Sequence, residues 1–191
     1  GACTFCSTWW IWHGYRSRTG KNVIGEVELL YKKYGARHFA FQDDTLTGNQ
    51  KEITYFCQEI LRRKIKAAFY GTTRADQVNL TLLRLMKKAG FYEIGYGIET
   101  GSEKMLKKIN KKTNLDVTKN AIILTKKAKI RACALMMYGL PGETKKDKRA
   151  TAKLLNNSKP DYIGTIGEVW IFPGTALYQQ AKKTKLISDR F

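Results

Sequence analysis

Proline is scarce in this sequence, three residues in 191, and no glycine–serine run or low-complexity block interrupts it. Those absences exclude a flexible or polyproline linker. A hydrophobic content of 43% excludes a disordered chain. The expectation is one domain over residues 1–191, long enough to bury a proper core. No apolar run approaches the ~20 residues that cross a bilayer. The first residues lack the charged-then-apolar layout of a signal peptide. A cytoplasmic protein with no membrane span is therefore expected. Histidine is rarer still, with only His13 and His38. Cysteine is limited to Cys3, Cys6, Cys57 and Cys133, and only the first two are close together, which argues against a disulfide framework.

Acidic residues are also few. Sixteen Asp and Glu face 35 Lys and Arg, a formal net charge of +19. Such an excess suits either a polyanion partner or a lysine-rich solvated surface. The lysines fall in groups, among them Lys107, Lys108, Lys111 and Lys112, then Lys126, Lys127 and Lys129, then Lys145, Lys146 and Lys148. These groups sit on several predicted helices and form no single stripe with interleaved aromatics. The sequence therefore favours the solvated surface over nucleic acid.

What is present is alternation. Apolar residues recur at helical spacing from Asn22 to Gly35, with Asn22 as cap and Gly35 as stop. A short strand at "RHFAFQDD" follows. The next helix, "NQKEITYFCQEILRRK", presents Ile53, Phe56, Cys57, Ile60 and Leu61 on one face, so Cys57 reads as core. Then come a strand "IKAAFYGTTR", a helix from cap Asn79 to stop Gly90, a strand "FYEIGYGIETG" and a helix from Ser102. A helix over Leu115–Lys127 leads to the strand "IRACALMMYGLPGE", which contains Cys133. A helix over Lys146–Asn156, a last strand in "DYIGTIGEVWIFPGT" and a short helix from Ala176 complete the pattern. Five strands from Arg37 onward, each followed by a helix, predict an α/β fold with parallel strands and right-handed crossovers. Such units open as a doubly wound sheet or curl into a full or partial barrel, and both carry their chemistry at the carboxyl ends of the strands.

Those ends are rich in polar residues and glycine: Asp43 and Asp44; Thr72, Thr73 and Arg74; Glu99, Thr100, Gly101 and Ser102; Gly139, Pro141, Gly142 and Glu143. Each has a structural role open to it. Asp43 or Asp44 suits a turn, Ser102 suits a helix cap with Glu103 in the first turn, and Gly101 and Gly142 suit tight turns. Taken together they point to a ligand lying across the mouth of the sheet. Cys3-Thr4-Phe5-Cys6 precedes the first helix and belongs to the same end, where thiolates could hold an iron–sulfur cluster.

With these stretches in view, the sequence resembles the radical S-adenosylmethionine (SAM) enzymes, and among them the group that often carries an upstream cobalamin-binding domain. The matching segments are "CTFCST", "YRSRTGKNVIGEVELL", "FAFQDDTLTGN", "TTRAD", "MKKAGFYEIGYGIETGSEKML", "YGLPGET" and "FPGTALY". The resemblance implies a partial TIM-like barrel of six β/α units, a [4Fe–4S] cluster on three cysteines, and SAM at its open iron. It implies reductive cleavage of SAM to a 5′-deoxyadenosyl radical, for hydrogen abstraction or for methyl and other carbon-centred chemistry. Cys3, Phe5 and Cys6 match the second half of the cluster motif. Its first cysteine would fall ahead of Gly1, so the expectation is a fragment that lacks this cysteine and the first barrel strand and is inactive alone. Cys57 and Cys133, in packed elements, are not expected to replace it.

The resemblance also implies roles. Asp43 and Asp44 would meet the SAM amino group, Arg74 its carboxylate and Glu99 the ribose hydroxyls. Gly139 and Glu143 belong to the segment that packs on adenine, one residue further apart than in some branches of the family. Phe5 would lie near adenine, and Ser102 joins the cofactor-binding set. Cobalamin would be bound through the upstream domain. The implied partners are an unidentified substrate and an electron donor such as flavodoxin or ferredoxin. Trp9, Trp10 and Trp12 suit substrate lining, cluster shielding or core packing.

Two other readings exist. An RNA-modifying, methylthiotransferase-like member of the same superfamily would suit the charge. A non-catalytic basic module with Cys3 and Cys6 as half of a zinc site would need a second ligand pair, which His13 and His38 do not supply at finger spacing.

Overall fold

A computed structural model describes residues 3–12 and 14–188. Among them the elements run α1 (Thr8–Trp12), α2 (Gly20–Lys33), β1 (His38–Ala40), α3 (Gln50–Arg62), β2 (Ala68–Thr73), α4 (Leu80–Ala89), β3 (Phe91–Glu99), α5 (Glu103–Lys108), α6 (Leu115–Lys127), β4 (Arg131–Tyr138), α7 (Lys145–Ser158), β5 (Tyr162–Glu168) and α8 (Ala176–Lys183). The strands form one sheet in the order β1-β2-β3-β4-β5. Each neighbouring pair is parallel. The sheet curls into a half-barrel backed by helices, a partial TIM-like α/β fold. Spatial order equals chain order, so every crossover has one sense and all strand carboxyl ends meet at one rim.

Local chemistry sets the helix starts. Asn49, Asn79, Ser102, Asn114, Thr144 and Thr175 each accept a backbone N–H of the first turn through the side chain. The first long helix departs from expectation. Its cap is Thr19, whose hydroxyl accepts the Asn22 N–H at 3.2 Å, so α2 starts two residues before Asn22. The reason is packing. Gly20 lies so close to α3 that a Cβ there would sit 2.6 Å from the Glu52 carbonyl oxygen. That approach requires glycine and places Gly20 inside the helix. Gly35, at φ +67°, follows the helix end as expected.

Period-two alternation divides the strands between two faces. Ile94, Tyr96 and Ile98 of β3 face the helices and are buried. Phe41, Phe56, Phe69 and Phe91 form an aromatic cluster there, with Phe56 edge-on to Phe69 at 5.4 Å between centroids. Cys57 is fully buried in this core, as expected. Leu61 is not. It is 41% exposed, because Ile53, Phe56, Cys57 and Ile60 already complete the buried stripe and Leu61 turns past its edge. The concave face carries Glu93, Gly95, Gly97 and Glu99 from β3 and Cys133, Leu135 and Met137 from β4. No helix among the described residues is long and apolar enough to cross a membrane.

Candidate cofactor site at the strand ends

The cysteine loop is held by backbone bonds. The Cys6 N–H donates to the Cys3 carbonyl at 3.2 Å, closing a turn that sets both thiols on one short loop. Thr4 N–H donates to the Ile109 carbonyl just beyond α5, and the Thr4 carbonyl accepts the Leu177 N–H of α8. Phe5 packs against a small apolar cluster of Met105, Ile109 and Leu140, which Met137 and Val169 also join. The loop therefore lies over the carboxyl ends of β3 and β4.

Glu99 ends β3 in the left-handed region, at φ +67°. A non-glycine residue there is strained, and such strain concentrates at functional sites. Its carboxylate accepts from the Lys111 ammonium at 2.7 Å, and the two side chains are only 15% and 10% exposed. Cys3 lies within electrostatic reach of this pair. Burial pushes its thiol up, the Lys111 ammonium pulls it down, Cys6 and Glu99 reinforce the rise, and Arg74 opposes it. Four groups from separate segments, Cys3, Arg74, Glu99 and Lys111, thus share one locus.

Arg74 does not present a free guanidinium. It makes a two-pronged pair with Asp76, at 2.9 and 2.7 Å, and donates to the Lys112 carbonyl at 3.0 Å. Asp43 and Asp44 follow β1 with exposed side chains. The Asp43 carbonyl accepts the Thr72 hydroxyl at 3.0 Å, tying the loop to the end of β2. Asp43 also lines a cavity of about 110 Å³ with Tyr15, Arg18 and Phe41. Gly139, at φ +78°, donates its N–H to the Glu143 carboxylate at 3.0 Å, so those two residues close the β4–α7 loop on itself.

Ser102 is occupied structurally. Its hydroxyl donates to Asp147 at 2.6 Å and accepts the Met105 N–H at the start of α5. Asp147 was legible only as part of "TKKD", a capping-box spacing. It caps α7 through Thr144, and hydrogen bonds from Ser102 and Thr144 hold its carboxyl well below the usual carboxylate range. Gly101 completes this junction, where a Cβ would stand 2.5 Å from the Thr151 Cα. Lys111, which the sequence places in a surface lysine group, carries no local signal of its burial. Trp12 is 53% exposed with Arg16 over its ring, so it is not a core residue. The side chains of Trp9 and Trp10, and all of His13, lie outside the described residues.

Among the described residues no three Cys, His, Asp or Glu side chains stand together as a metal site. Cys57 and Cys133 are buried in α3 and β4. Burial pushes the Cys57 thiol up to about 12. Native alkylation with iodoacetamide, followed by mass spectrometry, is expected to label Cys3 and Cys6 and spare Cys57 and Cys133 until the chain is unfolded.

The family model described as "Radical SAM superfamily" matches residues 1–155. The chain belongs to the radical SAM superfamily. An anaerobic magnesium-protoporphyrin IX monomethyl ester cyclase of Rubrivivax gelatinosus is 32% identical over 83% of this chain and 29% of its own length. The cyclase of that name from Cereibacter sphaeroides is 32% identical over 98% of this chain and 31% of its own length. This radical SAM chain therefore spans under a third of those relatives. Among solved structures, the radical SAM methyltransferase TsrM of Kitasatospora setae, with cobalamin and a [4Fe–4S] cluster, superposes at a TM-score of 0.80 and 16% identity. That match covers 95% of this chain and 35% of TsrM. The cobalamin-dependent radical enzyme OxsB gives a TM-score of 0.77 at 19% identity, over 97% of this chain and 34% of OxsB. At such identities these two likenesses establish the shared half-barrel.

Proposed function

We propose that this chain is the cofactor-binding core of a radical SAM enzyme, with Cys3 and Cys6 as two of the three thiolates of a [4Fe–4S] cluster. One observation carries the reading: a loop bearing both thiols is fastened over the strand ends, beside a strained, half-buried Glu99 and its Lys111 partner. The donor set fits as far as it goes. Cys3 and Cys6 stand at turn spacing on one loop, the Lys111 and Arg74 cations partly offset the burial that raises the Cys3 thiol, and a third thiolate completes the set. When bound, the cluster and SAM supply an electron and a 5′-deoxyadenosyl radical for hydrogen abstraction or carbon-centred chemistry on a substrate.

The chain's own residues bind and orient. Glu99 accepts ribose hydroxyls with the carboxylate oxygens that Lys111 leaves open. Asp43 and Asp44, whose carboxylates have no partner among the described residues, suit the SAM ammonium. Arg74 reaches the SAM carboxylate by exchanging Asp76 for it, an exchange of one bidentate carboxylate for another. Phe5, Met137 and the Gly139–Glu143 loop form an apolar wall for adenine. Ser102 supports the site by fixing α5 to α7. We assign cobalamin as a second cofactor of the full-length protein, on the likeness to enzymes solved with it. We place the reaction in the cytoplasm, with a low-potential protein such as flavodoxin or ferredoxin as reductant. Among the described residues no second ligand pair joins Cys3 and Cys6 for a zinc module, and His38 lies at the start of β1, at the opposite end of the sheet.

The test is anaerobic reconstitution of the full-length protein with iron and sulfide. Release of 5′-deoxyadenosine from SAM under reductant is expected. Protein that holds a full complement of iron and leaves SAM intact overturns the reading.

A further inference from the structure

The topology gathers what the sequence scatters. In a parallel half-barrel every helix-to-strand turn opens at the amino ends of the strands, on the side away from the cofactor site. There are five such turns, leading into β1, β2, β3, β4 and β5. Each holds one residue at positive φ: Gly35 at +67°, Lys64 at +54°, Gly90 at +107°, Lys129 at +60° and Lys159 at +47°. Glycine is the residue at home in that region, and two of the turns use it. The other three place lysine there, against the backbone preference, and all three side chains are exposed.

Helix dipoles account for only part of this face. Cations in the last turns, such as Lys87 and Lys88 of α4 or Lys126 and Lys127 of α6, offset the carboxyl-end charge of their helices. The left-handed lysines come after those turns, where glycine would serve the backbone better. Most nearby counter-charges are already committed, and Asp161, exposed at the entry to β5, accepts the Ala132 N–H. Glu28 pairs with Lys32 and Arg63, Glu59 with Arg62 and Arg63, and Glu93 with Arg131. Lys64, Lys129 and Lys159 have no ion pair among the described residues.

Two further features bear on what this face would hold. A depression of about 330 Å³ lies between the ends of α3 and α4, with Ile65 and Ala89 in its lining and Lys64, Lys66 and Lys88 around it. Tyr34, 66% exposed, and Tyr92 stand at the same end beside Lys33 and Arg131. Leu61, 41% exposed, also lines that depression, but the most exposed aliphatic and indole side chains among the described residues lie elsewhere. Leu186 lies beyond α8, Trp170 and Ile166 lie along β5 and its exit loop, and Ile11 lies in α1. Left-handed lysines at three of the five turns, exposed tyrosine rings and a lysine-rimmed apolar depression suit phosphates and unstacked bases.

We propose that the face at the amino ends of the strands binds single-stranded nucleic acid, with Lys64, Lys129 and Lys159 as phosphate contacts. No cofactor takes part, so the proposal stands apart from the radical SAM reading.

The experiment is fluorescence anisotropy of a labelled oligouridylate of about 15 nucleotides, titrated with the full-length protein across a salt series. One variant combines Lys64→Gly, Lys129→Gly and Lys159→Gly. A control combines Lys145→Gln, Lys146→Gln and Lys148→Gln, which removes equal charge from the first turn of α7 at the other end. The glycine variant is expected to bind at least about tenfold more weakly near 100 mM salt, with a salt slope shallower by about two. Its thermal midpoint should not fall, because glycine suits those backbone positions. The control should stay within about twofold of the parent. No binding by the parent, or equal loss in both variants, overturns the proposal. So does binding to phosphatidylserine–phosphatidylcholine vesicles that depends on the three turn lysines while the oligonucleotide does not bind.

Discussion

Replacing Cys3 or Cys6 by alanine is expected to strip the reconstituted full-length protein of its cluster and to reduce 5′-deoxyadenosine formation to background. The far-UV circular dichroism should be unchanged. The argument is about reach. The bonds that hold the loop, from Thr4 to Ile109 and from Leu177 to Thr4, are made by backbone groups and survive either substitution. With the loop fixed, no spare thiol can move in. Cys57 is packed in α3, and Cys133 lies low on β4, paired in register with the first residue of β5. Iron and sulfide counts, with chromatography of the SAM products, measure the outcome. A Cys6→Ala protein that retained both iron and activity would remove Cys6 from the ligand set.

The next largest effect is expected at Glu99. Glu99→Ala leaves the Lys111 ammonium in a site where its side chain is only 10% exposed. Removing one partner of such a pair costs about 3 kcal/mol of stability, most of it the penalty of an uncompensated charge. Glu99→Gln separates binding from folding. The amide keeps the shape and an acceptor for Lys111, so the midpoint of urea unfolding should fall less. The lost charge weakens hydrogen bonds to the ribose, and the dissociation constant for SAM should rise about tenfold. Calorimetric titration of SAM measures it. Unchanged affinity in Glu99→Gln would take the ribose role away from this residue.

The fold was legible because its signals are local and redundant. Asn79 and Gly90 bracket α4, Asn114 and the Leu115–Lys127 periodicity define α6, and five strands alternate with the helices that cover them. The start of α2 was less legible, because Thr19 and Asn22 are both good caps and the deciding contact, Gly20 against Glu52, comes from another helix. Leu61 shows the same limit, since helical period alone does not say how wide the buried stripe is. At the site, segment order was enough to bring Cys3, Arg74 and Glu99 to one end. It could not show that Asp76 already holds Arg74, or that Lys111 is buried against Glu99 while its neighbour Lys112 is exposed. Charge was the hardest to read. Lysines distant in sequence become neighbours only when the turns are stacked side by side.

Thr4 stands between the two cysteines, and its N–H and carbonyl point to different parts of the barrel, one to the segment after β3 and the other to the helix after β5. The residue flanked by both thiols is thus the clasp that joins the middle of the sheet to its last helix. Seating α8 and holding the thiols in register are one mechanical event. Whatever docks against or loosens the carboxyl-terminal helix gains a lever on Cys3 and Cys6 without touching either of them.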